Sequence, residues 1–327
     1  MGISCLAILL FDIPLKYIMV LILTPLLTYD GVVSYITLIE VPNKKNGTDI
    51  CVNCGELLLI LFLWIFAKPT FLIGVLVITI KDILKALVFT FWWRNRIFVK
   101  TEPILKVWLP KIVKFGFFPM LSLLMSTLNY RVDVIMLDGR VPDAAIGVYS
   151  IGVLIAERIW MIPEAMKGVM VHNLTRGKDA EEVEYVIRLC NTLCLFLIVG
   201  IIILGQPFIN FVFGMQYSGA YQITLIMLFG AIAMNYYKVI ASYNIAMGKQ
   251  KISFIFLSIS ALLNIVINLF AIPLLGTVGA GIASVLSYTV CSILFIVYFC
   301  KTTQAKFFNM VIVNREDCAK LIEKLKT

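Results

Sequence analysis

Long apolar runs, separated by short polar segments, recur along this chain from its first residues to about residue 300. A run of roughly 20 apolar residues is long enough to cross a bilayer as an α-helix. The pattern predicts about nine such helices, at residues 3–27, 53–67, 70–93, 111–137, 144–172, 187–213, 217–247, 252–273 and 278–300. The expected fold class is therefore all-α, a polytopic bundle of transmembrane helices.

The second run, 53–67, is the shortest of these and has Glu56 near its start. It is short for a hydrocarbon layer of roughly 30 Å. We expect this helix either to extend into its flanks or to cross a locally thinner layer.

The composition of the chain agrees with a membrane protein. Hydrophobic residues make up 61% of the chain and charged residues 14%, against roughly 45–50% and about 25% in soluble domains. The mean hydropathy is +0.97. The formal net charge of +9 does not indicate nucleic-acid binding, because the lysines and arginines stand in short segments between apolar runs and form no single basic face.

The basic segments predict the orientation of the helices, because loops that remain in the cytoplasm carry an excess of Lys and Arg. Segment 94–114 is strongly basic and is placed inside, whereas 138–143, 214–219 and 274–277 carry no excess of basic residues and are placed outside. The six spans after residue 111 then alternate regularly. The carboxyl terminus is predicted to be cytoplasmic.

The same rule has a consequence for the amino-terminal part of the chain. The loop at 28–52 contains Lys44 and Lys45 and is placed inside, which puts Met1 on the outer face. No secretory signal with a basic start precedes the first apolar run. We therefore expect further helices upstream of this sequence.

The carboxyl-terminal segment, 301–327, is more polar than the rest of the chain. Asn314 can cap a helix whose apolar face is formed by Cys318, Leu321, Ile322 and Leu325. This pattern predicts a short amphipathic helix on the cytoplasmic surface of the membrane. A solvated tail is the alternative interpretation.

Charged side chains inside the predicted spans are the main candidate functional residues, since each costs roughly 2.5–3.5 kcal/mol on insertion scales. They occur in five groups: Asp12 with Lys16; Lys81, Asp82 and Lys85; Arg131 with Asp133; Glu157 with Arg158; and Lys238. Amides inside spans are Asn129, Asn264 and Asn268. One hydrated central cavity accounts for all of them together. Ion pairs that only join helices are the alternative for each group, and Lys85 can also snorkel to the interface.

Asp133 lies two positions after Arg131, which places the two side chains roughly 200° apart around a helix. They are therefore not close partners of each other. We expect Arg131 to meet an acid on another helix or an anionic cargo, since Arg binds phosphate groups in a planar, bidentate manner.

Signals for an enzyme or a metal site are weak in this sequence. It has no Gly-rich phosphate-binding loop with Lys-Ser/Thr, no nucleophile elbow and no metal-binding pair of histidines. Cys51 and Cys54 form a single CxxC without a second pair. We predict that the chain is not an enzyme and holds no metal or cofactor.

Five segments of the chain resemble one superfamily in order and spacing. They are Phe115-Gly116 with Pro119 and Tyr130 to Leu137; Ile146 to Ser150; Pro207 to Gly214 with Tyr217 and Ala220; Ala246 to Lys249; and Asn264, Asn268 and Ile272-Pro273 through Ala283. Over residues 115 to about 300 the chain is similar to the C-terminal lobe of the multidrug, oligosaccharidyl-lipid and polysaccharide exporter superfamily, in its O-antigen and capsule flippase branch. The first 100 residues match only loosely.

The resemblance implies a partial two-lobe flippase architecture, in which two helical bundles face each other across a cavity. Residues 1–93 correspond to the remainder of the N-terminal lobe, about three spans, and 94–114 to a basic cytoplasmic linker. The resemblance also implies that about three further helices of that lobe precede this sequence. Residues 115–300 correspond to the six-helix C-terminal lobe, and 301–327 to the cytoplasmic amphipathic tail.

The function implied is translocation of polyprenyl-pyrophosphate-linked oligosaccharide repeat units across the bacterial inner membrane, for O-antigen (lipopolysaccharide) or capsule biosynthesis. Coupling to an H⁺ or Na⁺ gradient, a lipid environment and contact with glycan polymerase machinery are implied as well. Under this hypothesis the anion is bound by Arg131, Arg158, Lys238 and Lys85. The ion-coupling or orienting acids are Asp133, Glu157 and Asp12, and Asn264 and Asn268 line the polar cavity.

Two other functions are compatible with parts of the pattern. A multidrug cation antiporter of the same superfamily predicts a cavity dominated by acids, which the mixed set of acids and bases does not favour. A membrane-bound glycan polymerase or acyltransferase predicts a large periplasmic loop, and the predicted topology contains none.

Overall fold

The computed structural model describes residues 28–34, 37, 41–66, 71–97, 105–175, 180–314 and 317. Within these residues all regular structure is helical and no β-strand occurs, so the all-α prediction is confirmed. The α-helices are α1 (Pro42–Phe66), α2 (Phe71–Ile97), α3 (Leu105–Leu137), α4 (Asp143–Glu157), α5 (Met161–Thr175), α6 (Ala180–Val212), α7 (Ala220–Ala246) and α8 (Gln250–Thr303). The predicted first span, 3–27, lies outside the described residues.

The chain forms two compact units, Met1–Ile104 and Leu105–Thr327. In the first unit α1 and α2 are joined by ion pairs, including Lys81 Nζ to Glu56 Oε2 at 3.2 Å. The second unit contains α3 to α8.

The beginning of α1 differs from the loop predicted over 28–52. Residues 28–34 are helical, and α1 starts at Pro42, a residue that fits the first position of a helix. Lys45 donates a hydrogen bond of 2.5 Å to Asp49 one turn later, so these polar residues stabilise each other within the helix. The short second span therefore extends into its flank, one of the two expected outcomes.

In the part of the chain that the structure describes, six helices are long and apolar enough to cross a bilayer: Lys44–Leu63 within α1, Val113–Leu137 within α3, Asp143–Lys167 across α4 and α5, Ala180–Val212, Ala220–Ala246 and Gln250–Thr303. Their exteriors are apolar, as α6 illustrates with Phe196, Ile203 and Phe211 exposed by 72%, 67% and 90%. In contrast, Asn264 and Asp133 are fully buried. Apolar residues outside and polar residues inside are the arrangement that a bilayer requires, so the chain is a multi-pass membrane protein.

Helix α8 consists of two antiparallel arms. It has 54 residues, which would extend for about 80 Å at 1.5 Å per residue, far beyond the bilayer. The break is at Gly276, whose φ of 57° and ψ of −131° are not helical. Glycine is suited to this left-handed φ because it lacks a Cβ. The break lies between the two spans predicted at 252–273 and 278–300.

The turns of the second unit lie at two opposite ends of its helices. We call one the Gly276 end, which also contains the turns at Gly139 and Gly214; Val141 lies 3.8 Å from where a Cβ on Gly276 would be. We call the other the Lys249 end, where α7 connects to α8. Lys249 lies there with its Nζ 5.8 Å from the ring of Tyr298, near the end of the second arm.

The segment that follows α8 packs back on α6 at the Lys249 end. Arg188 makes two hydrogen bonds of 2.6 and 2.7 Å to the carboxylate of Asp317 and a third, of 2.6 Å, to the carbonyl of Asn309. Met310 is fully buried beside them. The backbone N–H of Asp317 donates to Asn314 Oδ1 at 2.8 Å, and the backbone N–H of Asn314 donates to Asp317 Oδ2 at 3.1 Å, the geometry of a capping box. The residues predicted to form the apolar face of the tail helix lie outside the described residues.

Reporter insertions test the orientation of these ends. Tags after Gly139 and Gly276 are expected to report the outer face, and a tag after Lys251 the cytoplasm, because Lys249 and Lys251 lie at the Lys249 end, whereas Arg140 at the Gly276 end is accompanied by Asp138 and Asp143. Paired alkaline-phosphatase and fluorescent-protein fusions measure the two locations. A cytoplasmic signal at Gly139 would contradict the predicted orientation.

Candidate functional site

A cavity of about 130 Å³ lies near the Lys249 end of the second unit, between α3, α5, α7 and α8. Its polar lining includes Ser122, Ser126, Glu164, Lys167, Lys238 and Ser253. The remaining lining is mostly apolar, including Leu123 and Leu257. The cavity thus combines two amines, a carboxylate and hydroxyl groups inside a set of membrane-crossing helices.

The strongest polar contact in this cavity joins α7 to α5. Lys238 Nζ lies 2.7 Å from Glu164 Oε1, and the side chains are 11% and 49% exposed. Lys167 Nζ lies 4.0 Å from the other carboxylate oxygen of Glu164. Two lysines therefore share one carboxylate, which leaves the group with a net positive charge. Because Glu164 is half exposed while Lys238 is nearly buried, Glu164 marks the open side of the site.

Aromatic rings surround the other side of Lys238. Its Nζ lies 4.7 Å from the ring centroid of Trp160 and 5.6 Å from that of Tyr130, within the range of cation–π attraction. The Trp160 ring lies 4.9 Å from Tyr130 and 5.9 Å from Tyr288. Trp160 Nε1 also donates a 3.0 Å hydrogen bond to the carbonyl of Ala231, which fixes the indole on α7.

The position of Trp160 follows from the local sequence. Residues Arg158–Trp160 form a 3₁₀ turn between α4 and α5, and Pro163 follows in the first turn of α5. Proline has no N–H to bond the carbonyl of Ile159 four residues earlier. That carbonyl instead accepts a 3.6 Å contact from Cys194 Sγ of α6. The tightened turn brings Trp160 into the core of the second unit.

Arg131 and Glu157 form a second ion pair, between α3 and α4. Arg131 NH2 lies 3.4 Å from Glu157 Oε2, and the Arg131 side chain is 55% exposed. Among the described residues, the other carboxylate oxygen of Glu157 is buried without a hydrogen-bond partner. Arg158, the next residue along the chain, is exposed. The guanidinium of Arg131 is therefore positioned by one acid while more than half of its side chain remains accessible.

Asp133 is fully buried in a third polar group, nearer the Gly276 end. Its carboxylate accepts hydrogen bonds from the Tyr149 hydroxyl, from Ser284 Oγ at 3.1 Å and from the backbone N–H of Val134 at 2.7 Å. All three of these donors are neutral. A carboxylate with neutral donors inside a membrane protein is an expensive arrangement, so Asp133 is a candidate functional residue.

A ladder of amides continues from this group. Asn129 Nδ2 donates to Ser260 Oγ at 2.9 Å, Asn264 donates to the carbonyl of Asn129 at 2.8 Å, and Asn268 donates to Asn264 Oδ1 at 2.7 Å. Ser287 Oγ links the ladder to the carbonyl of Ser284 at 2.9 Å, and Ser284 also binds Asp133. The three amides are fully buried. Asn264 and Asn268 were predicted to line a polar cavity, whereas the structure places them in this ladder.

The other predicted site residues have different positions. Lys85 belongs to the first unit, where its Nζ lies 3.4 Å from Asp49 and 3.8 Å from Asp30. Asp12 lies outside the described residues. Of the predicted residues described in the second unit, Lys238 lines the cavity. The others do not: Arg131, Asp133, Glu157, Arg158, Asn264 and Asn268.

Sequence reasoning missed several residues that complete these groups. Glu164 could have been identified from the sequence, because it is an acid within a predicted apolar span and directly follows Pro163. Nothing in the sequence distinguishes Tyr149 and Ser284, since a tyrosine and a serine in apolar runs are ordinary. Their roles depend on contacts with Asp133, which is distant from Ser284 in sequence.

A solved structure is similar to part of this chain. No protein-family model matches the chain, and no curated protein matches it. A crystal structure described as MATE in the bent conformation is similar, with 24% sequence identity and a TM-score of 0.46. The similarity covers 63% of this chain and 49% of that chain, so the matched part spans about half the length of that structure.

Proposed function

We propose that the chain is a transport protein that moves a polyprenyl-pyrophosphate-linked oligosaccharide across the bacterial inner membrane, as part of a flippase of the multidrug, oligosaccharidyl-lipid and polysaccharide exporter superfamily. The observation that carries the proposal is the polar cavity among membrane-crossing helices, with Lys167 and Lys238 in its lining and a net positive charge. Such a site attracts an anionic group in a region where water is scarce. The motifs from Phe115 to Ala283 that resemble the flippase branch support the same cargo.

Arg131 is proposed as the second contact for the pyrophosphate. Its side chain is 55% exposed, and its pairing with Glu157 orients the guanidinium. A guanidinium has five N–H donors in a planar fork, so one bond to Glu157 leaves donors for two phosphate oxygens. Arg158 is exposed beside Glu157 and would add positive charge. Lys85 in the first unit is proposed as a further anion contact.

Ion coupling is assigned to Asp133, with Glu157 and Asp12 as further orienting or coupling acids. The Asp133 carboxylate and the adjoining amide ladder form a buried set of oxygen atoms that would suit H⁺ or Na⁺, since oxygen atoms are the ligands that hard cations prefer. Binding of the ion at Asp133 would compensate the buried charge. Energy from the gradient would then reach the cargo through α3, which carries both Asp133 and Arg131.

Arg131 provides the test of the proposed cargo. In a strain lacking its lipid-linked-glycan flippase, Arg131→Ala is expected to reduce surface polysaccharide by about tenfold or more, because a charge-assisted hydrogen bond contributes roughly 1.5–3 kcal/mol. Arg131→Lys should also impair display, since it keeps the charge and loses the planar fork. Surface polysaccharide is measured together with the abundance of the protein in the membrane.

Arg140 is a matched control, because it is an exposed arginine in the turn after α3. Arg140→Ala should leave display unchanged. If Arg131 serves only its ion pair with Glu157, exchanging the two residues would restore display. Normal display by a well-expressed Arg131→Ala variant would refute the pyrophosphate contact.

A multidrug cation antiporter is the second candidate function. The observation that favours it is the combination of Glu164 with the rings of Trp160 and Tyr130, since acids and aromatic faces bind organic cations. Drug-resistance assays in a strain without efflux pumps distinguish this function from polysaccharide display.

A further inference from the structure

Trp160, Tyr130 and Glu164 surround Lys238, and we call this group the Lys238 cage. Two aromatic rings lie within 6 Å of the ammonium, at 4.7 and 5.6 Å, and a carboxylate oxygen lies at 2.7 Å. Aromatic faces combined with a carboxylate are the arrangement by which proteins bind quaternary ammonium groups. The cage thus has the chemistry of an organic-cation site, although its occupant is a side chain of the protein itself.

We infer that Lys238 is a tethered cation that fills an organic-cation site and thereby makes the cavity selective against cationic cargo. The lysine is attached to α7 beside the cage, so a free cation would have to displace it from both the rings and Glu164. A displaced lysine would remain within the same cavity and would repel the incoming charge. The inference rests on the proposed function in one respect, namely that the transported molecule enters this cavity.

The cage does not depend on Lys238 for its shape. Trp160 is held by its 3.0 Å hydrogen bond to Ala231 and by contact with Tyr130 and Tyr288. Glu164 has Lys167 as a second cation at 4.0 Å. Shortening Lys238 should therefore leave the rings and the carboxylate close to their present positions.

Charge and space both change in favour of a free cation when Lys238 is shortened. In the wild-type group, Lys167 and Lys238 outnumber Glu164, and without Lys238 one lysine and one carboxylate remain. The cavity of about 130 Å³ borders Lys238 directly, so the volume of the removed side chain is added to an existing space. A small quaternary ammonium such as choline would then contact the same rings.

The test is choline binding to the purified full chain, measured by isothermal titration calorimetry. Lys238→Ala is expected to bind choline about tenfold or more tightly than the wild type, a gain within the range of a desolvated cation–π contact. Adding Glu164→Gln to Lys238→Ala should remove most of that gain. The uncharged carbon isostere of choline should bind neither protein.

Lys251→Ala is the control, because Lys251 is an exposed lysine at the start of α8 outside the cavity. It should bind choline as weakly as the wild type. Thermal unfolding establishes that each variant is folded, and Lys238→Ser is a second small replacement should the alanine variant unfold. Equal choline affinity in the wild type and in a folded Lys238 variant would overturn the inference, as would equal binding of the uncharged isostere.

The outcome is separable from the test of the proposed cargo. Choline affinity depends on the Lys238 cage alone, whereas surface polysaccharide depends on transport of the glycan. A gain in choline binding with normal polysaccharide display by the Arg131 variants would support the cage and refute the pyrophosphate contact.

Discussion

Asp133→Asn is expected to abolish ion-gradient-driven transport while leaving the protein folded in the membrane. The carboxylate is fully buried and is held by Tyr149, Ser284 and the N–H of Val134. Asparagine has nearly the same shape and can accept hydrogen bonds, but its amide cannot exchange a proton and carries no charge for a cation. Transport of lipid-linked glycan into proteoliposomes, with and without an imposed H⁺ or Na⁺ gradient, measures the effect.

The loss should be confined to the gradient-driven component. Tyr149→Phe removes one donor and keeps the carboxylate, so it should reduce coupling less than Asp133→Asn does. Asp138→Asn is a matched control, because Asp138 is an exposed acid just after the end of the same helix. Gradient-driven transport at the wild-type rate in the Asp133→Asn variant would show that the coupling site lies elsewhere.

Gly152→Val is expected to prevent assembly of the second unit. A Cβ on Gly152 would lie 2.7 Å from the carbonyl oxygen of Ala220 and 2.7 Å from Cβ of Ile223. These atoms belong to the backbone and the first side-chain carbon of α7, so they cannot move away without displacing the helix. Thr224 Oγ1 also donates a 3.2 Å hydrogen bond to the Gly152 carbonyl, which holds α4 and α7 together. Close approach through small residues is how helices pack tightly in membranes.

The expected size of the effect follows from overpacking. Gly152→Ala should lower the free energy of unfolding by about 1–3 kcal/mol, and the larger valine should lower it further. Gly200→Ala in α6 is the matched control, because a Cβ there meets nothing within 4 Å, and it should be neutral or slightly stabilising. Thermal unfolding in detergent and the yield of monodisperse protein measure both. Wild-type stability of Gly152→Val would contradict the observed contact between α4 and α7.

Hydropathy predicted those features of the helices that depend only on the residues of one segment. A run of apolar residues defines a membrane-crossing helix by its own length, so the predicted end of α3 at residue 137 agrees with the structure. The break in α8 was also predictable, because Pro273 and Gly276 interrupt a run too long to cross once. The start of α1 was not predicted, since Lys44, Lys45 and Asn46-Gly47 are typical of a loop. The structure shows that the ion pair of Lys45 with Asp49 stabilises a helix there.

The sequence by itself determined which residues are costly in a membrane, because charge and hydropathy belong to each residue alone. It identified Arg131, Asp133, Glu157 and Lys238 in this way. Only the tertiary structure decided their partners: Glu157 for Arg131, Glu164 and the aromatic rings for Lys238, and Tyr149 with Ser284 for Asp133. Asp133 and Ser284 are 151 residues apart, and which helix faces which depends on packing between distant segments, such as the fit of Gly152 against Ala220. Hydrophobic periodicity describes one segment at a time and does not specify how two distant helices fit together. The partners of each charged side chain could therefore be identified only in the folded bundle.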